Sequence, residues 1–281
     1  MATRWQDRAK AVLERVSGLR VSRQPAWQVR GRVRPSPHPE LDRLLPSPVF
    51  LLSSVRSGST LLRVILNSHS RIHSPHETHF RRLTVVPSTP PALQALGVSG
   101  LNVLDVEHLL WDRLLHRSLQ LSGKDVLVEK TPSNVFAADR LAVAWPKARF
   151  IYLIRHPLAV ARSWHAANPE QRPMDRAVTH TLGYMQEVER ARERHPGLTL
   201  RYEDLVSDPT TATRQICAHL GVAWEPGMLE YGRHDHGPLV AGIGDWSPTI
   251  RGGEIRPAGP LPNAAELPAD LRRLAAAWGY A

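Results

Sequence analysis

Residues 48–67 constrain the fold more than any other part of the chain. After Pro48 comes an unbroken apolar run, Val49-Phe50-Leu51-Leu52, then a small polar loop over 53–59, then Leu61, Leu62, Val64, Ile65 and Leu66 at helical spacing. An apolar run without alternation predicts a strand covered on both faces, and such strands belong to parallel sheets sandwiched between helices. A strand, a tight small-residue loop and a helix in immediate succession form the usual entry to a phosphate-binding α/β fold.

The pattern repeats downstream. Strands are predicted over 125–128, 149–154 and 198–202, and helices over 133–145 (capped by Ser133), 157–167, 174–194 and 209–220. Pro157 suits a first helical turn. Strands alternating with helices predict a parallel sheet of four or five strands with helices on both faces. Residues 1–16 carry Trp5, Ala9, Val12, Leu13 and Val16 at helical spacing, and 19–48 is Arg- and Pro-rich without period. We therefore expect an N-terminal arm over 1–45 containing a short amphipathic helix, and a main domain over 46–281. Its last part, 221–281, is rich in Gly, Pro, His and Trp and is expected to act as a covering loop, with a closing helix over 271–278.

Composition removes several function classes. No apolar stretch is long enough to span a bilayer, and the charged N-terminus lacks a secretory h-region, so membrane insertion is not expected and the cytoplasm is the expected location. The single cysteine, Cys217, sits in an apolar run and reads as a buried structural thiol. Net charge is +10. Only Lys10, Lys124, Lys130 and Lys147 are lysines, so 32 of the 36 Lys and Arg residues are arginines. Their planar forks suit anions, yet there is no zinc-finger spacing, RNP-type motif or continuous basic helix, so no nucleic-acid partner is expected.

Two clusters carry the chemistry. In Ser53-Ser54-Val55-Arg56-Ser57-Gly58-Ser59-Thr60, successive backbone N–H groups and the helix N-terminus can cradle an anion, and Gly58 permits close approach. The loop is not a Walker A motif, since no lysine precedes the Ser/Thr pair. In the second cluster, Arg155 ends a strand and Ser163 lies two turns along the next helix, at the strand carboxyl ends where open α/β sheets bind ligands. Taken singly, the first cluster also fits a serine-rich turn capping a core helix, and the second an ordinary surface arginine.

Together they resemble the sulfotransferase family that uses 3′-phosphoadenosine 5′-phosphosulfate (PAPS). The stretch 55–63 resembles its 5′-phosphosulfate loop, and 152–163 its 3′-phosphate motif. Arg201-Tyr202-Glu203-Asp204-Leu205 resembles its tyrosine-bearing strand, and Glu129-Lys130-Thr131-Pro132 the segment supplying an active-site lysine. The four lie in family order over about 48–220, in a variant closest to the tyrosylprotein and bacterial branch. The resemblance implies a P-loop-like three-layer α/β fold and an enzyme moving a sulfuryl group from PAPS to an acceptor hydroxyl without a metal. It makes Glu77 the catalytic base, with His76 and His79 as rivals, and Arg56 and Lys130 the groups that stabilise the leaving phosphate. Arg56, Ser57, Gly58, Ser59, Thr60, Arg155, Ser163 and Tyr202 would hold the nucleotide, joined by Arg251 and Gly252 from a loose match to the family's C-terminal covering loop at 244–253.

Other readings stay open at this stage. A nucleotide-dependent phosphotransferase would share the scaffold, and a non-catalytic anion-binding protein would share the charge. His73, His76, Glu77 and His79 invite a metal, but 76–79 is one residue short of H-E-x-x-H. His234-Asp235-His236 reads as a polar loop. The acceptor is expected to be a glycan, lipid, peptide or small natural product. Apolar residues within 81–121 mildly favour a partly hydrophobic one.

Overall fold

The computed structural model describes residues 31–237, 244 and 248–280. The amphipathic helix expected over 1–16 and residues 245–247 of the expected covering loop lie outside the described residues. The described chain divides into a small unit that takes in Val85–Val106 and a large one comprising Val33–Thr84 and the residues from Glu107 on.

Five strands build the sheet of the large unit: β1 (Val49–Ser53), β2 (Ile72–His73), β3 (Val126–Glu129), β4 (Arg149–Ile154) and β5 (Gly197–Arg201). Their order is β2-β3-β1-β4-β5 and every pairing is parallel. β1 is central, with Val49 opposite Val128 of β3 and Leu51 opposite Ile151 of β4. Eight helices of seven residues or more are described: α1 (Ser59–Asn67), α2 (Pro90–Val98), α3 (Val103–Ser122), α4 (Ala138–Ala144), α5 (Pro157–Ala166), α6 (Met174–Arg194), α7 (Pro209–Leu220) and α8 (Ala269–Ala277). None of them is long and apolar enough to cross a membrane.

Alternation along the strands creates two cores. Val49 and Leu51 join Ile151, Leu153, α1 and α7 on one face. Phe50 and Leu52 turn to the other, where they meet Trp111, Trp145, Met185 and Leu271 of α3, the α4 end, α6 and α8. Every residue of β1 is buried, and so is α1 from Ser59 to Leu66, because this helix is covered on all sides. Each fully buried leucine there contributes about 1.5–3 kcal/mol relative to exposure.

Two expectations are corrected. The segment expected to continue as an extended arm is anchored from Pro39 onward. Arg43 donates from Nε to Ala144 O at 2.6 Å, and the buried Asp112 accepts from Leu44 N and Leu45 N at 2.8 and 3.2 Å while also binding Trp145 Nε1. The helix expected from Ser133 begins as a 3-10 turn, Pro132–Ala137, and becomes α-helical only at Ala138. Ser133 does not cap it, because its hydroxyl accepts from Arg81 Nε at 3.3 Å. The tight turn holds Asn134 where its amide reaches the buried carboxylate of Glu129.

Candidate active site

The carboxyl ends of β1, β3, β4 and β5 open onto a cavity of about 660 Å3, within the range of small-molecule sites, roughly 300–1000 Å3. One half is an anion cradle. The loop after β1 turns through left-handed backbone at Arg56 (φ 62°) and Gly58 (φ 86°), and Gly58 is the N-cap of α1. With no side chain closing that helix end, its first N–H groups and positive partial charge face the cavity. Ser54 and Ser57 bond to each other through their hydroxyls at 2.7 Å and are buried, so they hold the loop's shape. Arg56, Gly58, Ser59 and Thr60 line the cavity itself.

The two motifs singled out from the sequence meet here. Arg155, at the end of β4, donates from Nη1 to the carbonyl of Arg56 at 3.0 Å. Arg56 in turn donates from Nε to Ser163 Oγ on α5 at 3.2 Å. The Arg155 guanidinium lies 4.3 Å above the ring of Tyr202, which begins the short helix after β5. Arg155 Nε is buried and has no hydrogen-bond partner among the described residues. A guanidinium on the cavity wall, among the donors of Arg56, Ser59, Thr60 and Ser163, suits an anionic ligand.

The second half is lined by Glu77 and His79, with the fully buried Lys130 off the wall behind them. Glu77 Oε1 and Lys130 Nζ are 2.5 Å apart, and Lys130 also reaches Thr60 Oγ1 at 3.4 Å. His79 Nε2 approaches the other Glu77 oxygen at 3.4 Å. Burial, the largest influence, pushes the Lys130 ammonium below the usual lysine range, against the opposing pull of Glu77. The turn bearing Glu77 hangs on Glu129, whose buried carboxylate accepts from Thr78 Oγ1 at 2.7 Å and Thr131 Oγ1 at 2.6 Å. Burial raises the Glu129 pKa, partly offset by those donors.

His76, a rival base, does not line this cavity; its ring lies beside Gly237. His79 does line it. The histidines that invited a metal are dispersed: His73 bonds Ser118 Oγ at 2.8 Å, and His234 and His236 contact the carbonyls of Gly227 and Tyr231.

Burial, with smaller contributions from Lys124 and Arg63, lowers His73 to about 4. Its unfolded value is near 6.5, so below that pH the unfolded chain takes up a proton that the folded chain refuses until about pH 4. Stability is therefore expected to fall as pH drops through that window, by about 2 kcal/mol from His73 after allowance for solvent screening. Thermal melts at stepped pH check this, and His73→Gln should flatten part of the slope.

Arg251 and Gly252 are exposed and lie off the cavity wall, whereas Ile250, Glu254 and Arg256 line it. Sequence reasoning also missed Ser133, Trp164 and Tyr184 on the wall, and Arg63, which is buried and donates to Ser74 O behind the Glu77 turn. Arg63 had a signal: an arginine inside the otherwise apolar stripe of α1.

A family model described as the sulfotransferase family matches residues 48–226. An uncharacterized protein of Aquifex aeolicus is 28% identical over 223 residues, 73% of this chain and 28% of that protein. Nodulation protein NoeE of Sinorhizobium fredii is 31% identical over 130 residues, 42% of this chain and 31% of its own. Omega-hydroxy-beta-dihydromenaquinone-9 sulfotransferase Stf3 of Mycobacterium tuberculosis is 25% identical over 194 residues, 57% of this chain and 48% of that one. The chain spans less than half the length of these curated relatives. In fold it is similar to a sulfotransferase domain from the curacin biosynthetic pathway (TM-score 0.60, 24% identity, 84% of this chain and 99% of that one). It is also similar to one from the Synechococcus PCC 7002 olefin synthase (TM-score 0.59, 24% identity, 92% and 99%).

Proposed function

Because the chain belongs to the sulfotransferase family, we propose that it transfers a sulfuryl group from PAPS to the hydroxyl of an acceptor, with Glu77 as general base. The observation that carries this reading is the convergence of Arg56 and Arg155, joined at 3.0 Å across two strand ends. A single adenosine bisphosphate could touch both. PAPS, when bound, supplies the sulfuryl group and departs as adenosine 3′,5′-bisphosphate (PAP).

The residues divide the work as follows. Ser59, Thr60 and the N–H groups at the start of α1 bind the 5′ end of the nucleotide. Arg155 and Ser163 bind the 3′-phosphate, and Tyr202, packed on Gly58 beneath Arg155, keeps that arginine in place. Glu77 takes the acceptor's proton at a carboxylate oxygen, which requires its bond to Lys130 to loosen. Lys130 and Arg56 stabilise charge developing on the bridging oxygen, and their effect is enlarged by burial. Sulfuryl transfer, like phosphoryl transfer, then rests on alignment and electrostatics. Arg256 is a further phosphate or adenine contact.

Calorimetric titration with PAP at low ionic strength tests the donor half. Binding is expected, weakened about 10- to 100-fold by Arg155→Ala, the scale of charge-assisted hydrogen bonds. ATP with magnesium should bind far more weakly. Absence of PAP binding, or indifference to Arg155→Ala, defeats the reading.

A further inference from the structure

Trp164 and Tyr184, on the Glu77 side of the cavity, belong to a longer row of side chains that extends beyond its lining. Five contacts join six side chains from one end of that row to the other. The Arg172 guanidinium lies 4.0 Å from the Trp164 ring, and Trp164 is stacked on His180 at 4.5 Å with 15° between planes. His180 lies 5.3 Å from Tyr184, one turn along α6. Tyr184 meets Phe136 edge-on at 4.7 Å, and Arg81 lies 5.9 Å from the Phe136 ring. Trp164 and Tyr184 line the cavity that holds Glu77 and His79.

The row is aromatic along its middle and carries a guanidinium at each end, Arg172 and Arg81. Burial, aided by Arg172, lowers the His180 pKa and so favours the neutral ring. Phe136 is 46% exposed, so its ring is reachable from solvent. At the far end stand Arg81 and Arg82, adjacent on the 3-10 turn Phe80–Arg82. Among the described residues neither forms an ion pair. Arg81 is half-buried, and burial together with Arg82 lowers its pKa. Two neighbouring guanidiniums without a carboxylate, one of them partly desolvated, hold a standing preference for an anion. Arg81 also donates to Ser133 Oγ at 3.3 Å, and Ser133 is on the cavity wall. Tyr184 connects the two ends, since its phenol feels both Glu77 and the Arg81–Arg82 pair.

We propose that the acceptor is an amphiphile: a hydroxyl on an apolar ring or alkyl body that lies against Trp164 and Tyr184, with an acidic group that reaches Arg81 and Arg82. This rests on the sulfuryl-transfer reading and narrows it, setting acidic aromatic or lipid-like alcohols above neutral sugars. An apolar body gains by burial against the rings. The acid gains from charge-assisted hydrogen bonds that its neutral ester lacks.

The test is calorimetry on PAP-loaded protein with two probe pairs: hydroxyphenylpropanoate and a hydroxylated fatty acid, each against its methyl ester. At least one acid is expected to bind about tenfold or more tightly than its ester. Arg81→Gln/Arg82→Gln should erase that difference while leaving PAP affinity as it was. The exposed Arg82→Gln alone, which disturbs no packing, should erase part of it. Equal binding of acid and ester, tighter binding of the ester, or binding of neither with PAP still bound, overturns the acceptor assignment and leaves the donor site intact. Failure of the wild-type protein to bind PAP overturns the donor reading.

Discussion

Glu77→Gln is expected to lower sulfuryl transfer by about a thousandfold or more while PAP still binds with near wild-type affinity. General bases contribute roughly 10²–10⁴-fold, and here the amide also loses its ion pair with Lys130, 2.5 Å away. That second loss complicates the measurement, because Lys130 is almost wholly buried. An ammonium stranded beside a neutral amide costs about 2 kcal/mol or more. Burial already draws the Lys130 pKa down, so part of that cost is relieved by loss of its proton. Thermal melts and PAP titration of Glu77→Gln separate a missing base from a damaged fold. Turnover near the wild-type rate in a folded Glu77→Gln protein removes Glu77 as the base and leaves His79, the rival base on the cavity wall.

The second large effect is expected at Gly58. A Cβ there would lie 2.2 Å from Tyr202 Cδ2 and 2.5 Å from Cε2, at a backbone φ of 86°. Gly58→Ala therefore meets two penalties: left-handed backbone, about 1–2 kcal/mol, and overpacking, about 1–3 kcal/mol. The ring cannot move alone, because Arg155 lies 4.3 Å over it and also holds the Arg56 carbonyl. PAP affinity is expected to fall at least tenfold together with the melting temperature. Adding Tyr202→Ala removes the clash and should restore part of the stability, leaving the backbone penalty behind. Wild-type melting and PAP affinity in Gly58→Ala would contradict the close packing described here.

Much of this was legible in the chain because local and tertiary signals agree. Arg149–Ile154 and Met174–Arg194 match their predicted bounds, the first as an aromatic and β-branched run ending at Arg155-His156-Pro157, the second as a long amphipathic period. The meeting of Arg56 with Arg155 followed from one rule, that parallel strands deliver their carboxyl ends to one side. What stayed hidden depends on contacts distant in sequence. The start of the segment after β3 as a 3-10 turn depends on Asn134 reaching Glu129. β2 has two residues, too few for any period to register. The aromatic row draws Phe136, Trp164 and Tyr184 from three elements, and no spacing rule relates them. In the C-terminal segment the backbone lacks a period, so local pattern could not decide between Arg251 and Arg256.

The central position of β1 also matters during synthesis. Its neighbours β3 and β4 are made only roughly seventy to a hundred residues after β1 itself. At about 5–20 residues per second that interval lasts several seconds. Throughout it a strand with four successive apolar residues waits with both edges bare, a ready target for chaperones or for a neighbouring nascent chain. Expression yield should therefore respond to translation speed between β1 and β4 even where the finished protein is unchanged.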